Sequence, residues 1–72
     1  MTLDMVRRGD HVRIVAIHDP QVRHQAIRFG IGEGADVRCA EKLPAGPIVV
    51  RRGRQEIAIG RGIAKAITVE AV

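Results

Sequence analysis

Three glycines at alternate positions, Gly30, Gly32 and Gly34, follow the only aromatic residue of this 72-residue chain, Phe29. Glycines that bind a phosphate precede a helix, because the phosphate lies against the amides of the helix N-terminus. Here the glycines follow a predicted helix and lead into a predicted strand, and no Gly-Lys-Ser/Thr sequence comes after them. The stretch is therefore predicted to turn the chain rather than to bind a nucleotide.

The segment before the glycines, HDPQVRHQAIRFG, has the pattern of a short helix. Asp19 is a favourable N-cap, and Pro20 suits the first helical position, where its missing N–H needs no partner. Val22, Ala26 and Phe29 fall at spacings i, i+4 and i+7, which place them on one apolar stripe. We expect these three side chains to face the core.

Three glycines are assigned to turns. Gly30 is expected to follow the helix in the left-handed conformation, and Gly34 to complete the turn into the next strand. A hairpin is predicted with strands at 48–51 and 54–59 and a tip at Arg52-Gly53, where Gly53 supplies the positive φ.

Val and Ile dominate the remaining segments, and β-branched residues favour strands. Further strands are predicted at 11–17, where Val15 and Ile17 break the alternation as in a strand covered on both faces, at 35–42 and at 67–72. Five strands, one helix between the first two and one helical turn before the last describe a small, mostly β barrel. Residues 1–72 are too few for more than one domain.

A single cysteine, Cys39, excludes an intrachain disulfide and suits a reducing compartment. It shares a strand face with Val37 and is expected to be a small buried hydrophobe. No apolar run has the length of a signal peptide or a membrane span. The expected location is cytoplasmic, without membrane insertion.

The formal net charge is +4, from 12 Lys and Arg against 8 acidic residues. Basic domains often bind nucleic acid, but single-stranded binders stack bases on aromatic rings, which this chain almost lacks. Nucleic acid is therefore not the favoured partner. Arg51, Arg52 and Arg54 are the densest charges, either a solvated hairpin tip or a contact for an acidic partner or a phosphate backbone.

The histidines do not have the spacing of a preformed metal site, neither His-x-x-x-His nor a Cys-x-x-Cys partner. Scattered surface histidines are the simpler interpretation. If a metal binds, the candidate pair is His18 at the start of the helix with His24 one turn further along it. No cofactor is expected; a divalent metal such as ferrous iron would bind weakly or with ligands completed by a partner.

These segments together resemble the FeoA family over essentially the whole chain. The resemblance is carried by AIRFGIGEGADVRC, with Gly30, Ile31 and Gly34 at the family's signature positions. The opening TLDMVRRGD and the closing half GPIVVRRGRQEIAIGRGIAKAITV are similar to those of the family. Glu33 departs from it, standing where a proline is frequent. The resemblance implies an SH3-like barrel and no catalytic group.

It also implies an accessory role in ferrous iron uptake through contact with FeoB, a membrane transporter with a cytoplasmic GTP-binding domain. The candidate contact residues are Ile31, Arg51, Arg52 and Arg54. Ile31 either stands exposed at the barrel mouth or tucks under the helix. The alternative is a nucleic-acid-binding barrel of the KOW type, which the segment RRGDHVRIVAI resembles. Edge strands of a thin barrel would also permit homo-oligomers.

Overall fold

Five antiparallel strands make up most of the regular backbone in the computed structural model, which describes all 72 residues. A 3-10 turn comes first, at Leu3–Met5. The strands and helices are β1 (His11–Ile17), α1 (Pro20–Arg28), β2 (Asp36–Lys42), β3 (Ile48–Arg52), β4 (Gln55–Ile59), α2 (Arg61–Ala64) and β5 (Ile67–Ala71). The predicted fold class, mostly β with a helix between the first two strands and a helical turn before the last, is confirmed.

The strands form one sheet in the order β4-β3-β2-β1-β5, so β4 and β5 are its two edges. The N-terminal residues cover the outer side of β5. Thr2 bridges Thr68, and the amide of Val69 donates to the carbonyl of Met1 at 2.8 Å. No strand pairs with the outer side of β4. The β5 edge is therefore covered by the N-terminal residues, whereas the β4 edge is unpaired.

The core is one cluster of 15 buried residues, all of them apolar, drawn from every strand and both helices. In the strands, alternate residues point inward, as the period of two requires. Val37 and Cys39 lie on the core side of β2, with exposures of 1% and 2%.

The alternation of β1 is interrupted by a bulge. Val15 is exposed, as alternation with the buried Ile14 requires, and the register with β5 then shifts between Ile14 and Ala16, so that Ile17 is buried. Our interpretation of Val15 and Ile17 as signs of a strand covered on both faces is therefore wrong, because an extra residue reverses the face. The carboxylate of Glu33 accepts the amide of Ile17 at 3.1 Å, which satisfies a donor beside the bulge.

Helix α1 begins as its sequence predicts and ends with one correction. The Asp19 carboxylate accepts the amides of Gln21 and Val22 at 2.8 and 3.2 Å. Ala26 is buried and Val22 half-buried, but Phe29 is 50% exposed. The expectation that Phe29 faces the core is wrong, because the helix ends at Arg28 and Phe29 is the residue after it.

The hairpin tip lies one residue later than predicted. Arg52 pairs with Gln55, which leaves Gly53 and Arg54 as the two turn residues. Gly53 has a φ of +61°, whereas Arg54 does not have a positive φ. A positive φ at the first turn residue alone is the type II′ pattern, which suits the twist of hairpin strands.

Candidate functional site

The turn after α1 is held by two backbone hydrogen bonds. The amide of Gly30 donates to the carbonyl of Ile27 at 3.1 Å, and the amide of Ile31 donates to the carbonyl of Ala26 at 2.9 Å. Gly30 has a φ of +75°, and the pair of bonds is a Schellman motif. The glycine-rich stretch therefore turns the chain, and its first amides are already bonded to carbonyls.

The Schellman motif also determines the position of Ile31. Its side chain is 3% exposed and belongs to the core cluster together with Ala26. Ile31 therefore packs under the helix and is not exposed at the barrel mouth, which is the second of the two interpretations of the sequence. Ile31 is therefore not available as an exposed contact residue.

The three hairpin arginines separate into different environments. The guanidinium of Arg51 donates to the Glu56 carboxylate, its Nε at 3.0 Å. The guanidinium of Arg52 donates to the backbone carbonyl of Gly30, which ties the hairpin to the loop after α1. Arg54 is exposed at the tip and has no ion pair. Of the three, only Arg54 has no partner within the chain.

An apolar groove lies between α1, β4 and α2, with a volume of about 80 Å³. Phe29 and Ile63 stand at the groove with 50% and 41% of their surface exposed. Its ten lining residues, all hydrophobic except Gln25, are Val22, Gln25, Ala26, Phe29, Ile31, Ile57, Ala58, Ile59, Ile63 and Ile67. We refer to this set as the apolar groove.

Strand β4 contributes Ile57, Ala58 and Ile59 to the apolar groove, and its outer side has no partner strand. Exposed apolar side chains beside an unpaired strand edge are a combination that favours protein contact. Sequence reasoning missed this site. Its members come from separate segments, and the signal that marks it, an exposed aromatic ring, appears only in the folded chain.

The predicted metal pair is not part of a preformed site. His18 and His24 are both exposed, and Nε2 of His18 lies 2.8 Å from the hydroxyl of Thr68. No group of three His, Cys, Asp or Glu side chains is placed to hold a metal ion. The donor set present does not fit a resident metal, because structural and catalytic sites need three or four protein ligands.

Cys39 is the one thiol, and it is buried on β2. Its Sγ lies 3.5 Å from the carbonyl of Glu41. Burial raises the pKa of the Cys39 thiol, which disfavours the nucleophilic thiolate. The side chain behaves as a core residue, as the sequence predicts.

None of the helices has the length and hydropathy needed to cross a membrane.

Comparison with known proteins places these observations in a family. The profile of the FeoA domain matches residues 1–71. A search of curated proteins found no match. The crystal structure of an iron uptake regulatory protein (FeoA) is 29% identical, with a TM-score of 0.88, covering 100% of this chain and 96% of that one. The FeoA protein from Chlorobium tepidum is 27% identical, with a TM-score of 0.89, covering 100% and 70%.

A third structure supports the fold alone. FeoA from Stenotrophomonas maltophilia, described as a prokaryotic SH3 domain protein and solved with zinc, is 22% identical with a TM-score of 0.82, covering 97% of this chain and 89% of that one. The fold is SH3-like, as the resemblance implied. With the family profile spanning nearly every residue, the chain belongs to the FeoA family.

Proposed function

We propose that this protein is a non-enzymatic accessory protein of ferrous iron uptake, acting on the cytoplasmic side by binding an FeoB-like GTP-binding transporter. Family membership and the iron-uptake description of its 29% identical neighbour support the pathway. The observation that carries the binding role is the apolar groove beside the unpaired edge of β4.

Phe29 is the anchor of the proposed contact. Aromatic side chains dominate the energetics of protein interfaces when a partner buries them. Full burial of a Phe side chain contributes about 1.5–3 kcal/mol, and half of the surface of Phe29 is still exposed in the free protein. Ile63 extends the same surface on α2. The partner is therefore expected to present apolar side chains to this groove.

Charge at the hairpin complements the apolar contact. Arg54 projects from the tip without an internal partner, and Arg52 keeps its positive charge while bonded to a carbonyl. Such residues at the rim of an interface steer encounter with an acidic partner and contribute less to the final affinity. From the predicted contact set, Arg52 and Arg54 remain in the proposal; Arg51 is paired with Glu56, and Ile31 is buried.

The test is an NMR titration of the ¹⁵N-labelled protein with the purified cytoplasmic domain of the cognate transporter, in nucleotide-free, GDP and GTP-analogue states. Phe29→Ala is expected to lower the affinity about three- to tenfold, which corresponds to about 0.7–1.4 kcal/mol. The matched control is Val15→Ala, because Val15 is 45% exposed and does not line the groove. Its affinity is expected to be unchanged.

Two results would contradict the proposal at different levels. No chemical-shift change in any nucleotide state at high protein concentration would remove the transporter as the partner. Equal affinities for wild type and Phe29→Ala would remove the apolar groove as the contact. If the groove instead binds a second copy through β4, light scattering will show a dimer that Phe29→Ala dissociates, and the transporter contact is then refuted at this surface.

Metal binding is a smaller part of the proposal. Weak binding of ferrous iron is proposed at His18 and His24, with further ligands supplied by the partner. In a Zn²⁺ titration, used because Zn²⁺ does not oxidise, fast-exchange shifts are expected at these histidines and lost in His24→Ala. Unchanged shifts in His24→Ala would exclude this pair.

A further inference from the structure

We propose that the outer face of the sheet carries a binding site for a diphosphate group, built from a row of basic side chains on β1, β2 and β3. Strand register places His11 opposite Arg38, Arg38 opposite Arg51, and Arg51 opposite Glu56. Residues directly opposite have Cβ atoms about 4.5–5.5 Å apart. His11, Arg38, Arg51 and Glu56 thus lie side by side on β1, β2, β3 and β4.

Like charges directly opposite one another destabilise a sheet. Arg51 is compensated by Glu56, but Arg38 lies between Arg51 and His11 and has no carboxylate within ion-pair distance. Arg38 is also exposed and donates no side-chain hydrogen bond within the chain. An anion bound across the row would supply the missing compensation.

The row borders an open depression of about 270 Å³. Arg52 is also one of its lining residues, and Asp36 is the only acid among them. The Asp36 carboxylate is turned to Arg13 at 2.8 Å, and this partner holds the pKa of Asp36 below its usual range. The one negative charge of the depression is therefore already paired.

The dimensions favour two linked phosphates. Neighbouring strands lie about 4.8 Å apart, so the row from His11 to Arg51 extends about 10 Å. Guanidinium groups donate paired hydrogen bonds that match phosphate oxygens. A nucleic acid strand is less suited, because the aromatic ring on which a base could stack, Phe29, lies at the apolar groove and not in this depression.

This site is separate from the apolar groove, since the two linings have no residue in common, and it shares only Arg52 with the proposed transporter contact. The probe is inorganic pyrophosphate, titrated into the ¹⁵N-labelled full chain at low ionic strength. Saturable shifts are expected at the amides of His11, Arg38, Arg51 and Arg52. Arg38→Gln is expected to weaken pyrophosphate binding at least tenfold. It is expected to leave the melting temperature of the free protein unchanged or to raise it, because it removes the repulsion between Arg38 and Arg51.

The matched control is Arg28→Gln, which removes the same charge from the last turn of α1, outside the depression. It is expected to change the pyrophosphate affinity less than twofold. Comparison with GDP separates the two sources of a diphosphate: tighter binding of GDP indicates a nucleotide ligand, and equal binding indicates the free polyanion. Added salt is expected to weaken either.

Three outcomes would overturn the site. One is the absence of saturable shifts with pyrophosphate. Another is equal loss of affinity in Arg38→Gln and Arg28→Gln, which would mean unspecific attraction to a basic protein. The third is tighter binding of a single-stranded oligonucleotide than of pyrophosphate, with both arginine variants weakened. That result would favour the nucleic-acid function instead.

Discussion

Replacing Gly30 with alanine tests the turn on which the fold of the helix-to-strand segment depends. Gly30 has a φ of +75°, where an L side chain is strained by about 1–2 kcal/mol. A Cβ at this position would lie 3.0 Å from Nη1 of Arg52. That atom ends a flexible side chain and can move, at the loss of its exposed hydrogen bond to Gly30, a net contribution of about 0.5–1.5 kcal/mol.

Gly30→Ala is therefore expected to lower the free energy of unfolding by about 1.5–3.5 kcal/mol, the sum of the strain and the lost hydrogen bond. For a domain of 60–100 residues, each kcal/mol shifts the melting temperature by about 4–8 °C. Thermal unfolding followed by circular dichroism should show a decrease in the melting temperature of about 6–28 °C. Gly30→Asn should lower the free energy of unfolding by less, since asparagine tolerates the left-handed region better than alanine.

Gly62→Ala is the matched control for this experiment. Gly62 lies within α2, has no positive φ, and an added Cβ would meet no atom within 4 Å. Removing a helical glycine is expected to leave the melting temperature unchanged or to raise it. The argument fails if Gly30→Ala is no more destabilising than Gly62→Ala. In an Arg52→Ala background, Gly30→Ala should still cost at least about 1 kcal/mol, because the backbone strain remains.

Three further predictions concern polar and titratable groups. Glu33→Ala should cost about 1–3 kcal/mol in urea unfolding, because it removes the partner of the amide of Ile17, whereas Glu33→Gln should cost less; equal losses would contradict this role. The thiol of Cys39, whose pKa is raised by burial, should react slowly with a disulfide reagent until urea unfolds the protein. Since the folded state keeps that proton longer, the unfolding free energy should decline as the pH rises above about 9.0, and Cys39→Ala should abolish this decline. The hydrogen bond from Arg13 lowers the pKa of Asp36, so this pair stabilises the fold at neutral pH and the contribution is lost as the pH falls; carboxyl ¹³C shifts should show the pKa returning to the ordinary range in Arg13→Gln.

Features with a local cause were predicted from the sequence. The start of α1 follows from Asp19, whose carboxylate satisfies two free amides, and its end follows from Gly30, which can adopt the left-handed conformation. The five strands follow from β-branched segments bounded by turns. The bounds of these elements depend on residues that are close together in the sequence, so they can be predicted from the sequence alone.

Features that depend on strand pairing were not predicted correctly. The bulge at Val15 becomes visible only when β1 is paired with β5, and the hairpin tip depends on Arg52 pairing with Gln55. Phe29 follows the last residue of α1, so its i+7 spacing from Val22 was misleading about its burial. The row that includes Arg38 likewise exists only through the register of β2 with its neighbours.

The two edges of the sheet explain why the apolar groove is exposed at all. An unpaired strand edge invites association with other chains, and proteins usually cover or shorten it. Here Met1 and Thr2 cover β5, whereas β4 keeps a free outer side next to the groove. Packing of the core does not account for the exposure of Phe29 at the groove, since the cluster of buried aliphatic residues does not include Phe29. A partner seated in the groove would bury that ring and cover the free edge together, so the exposed aromatic and the open strand have one common explanation.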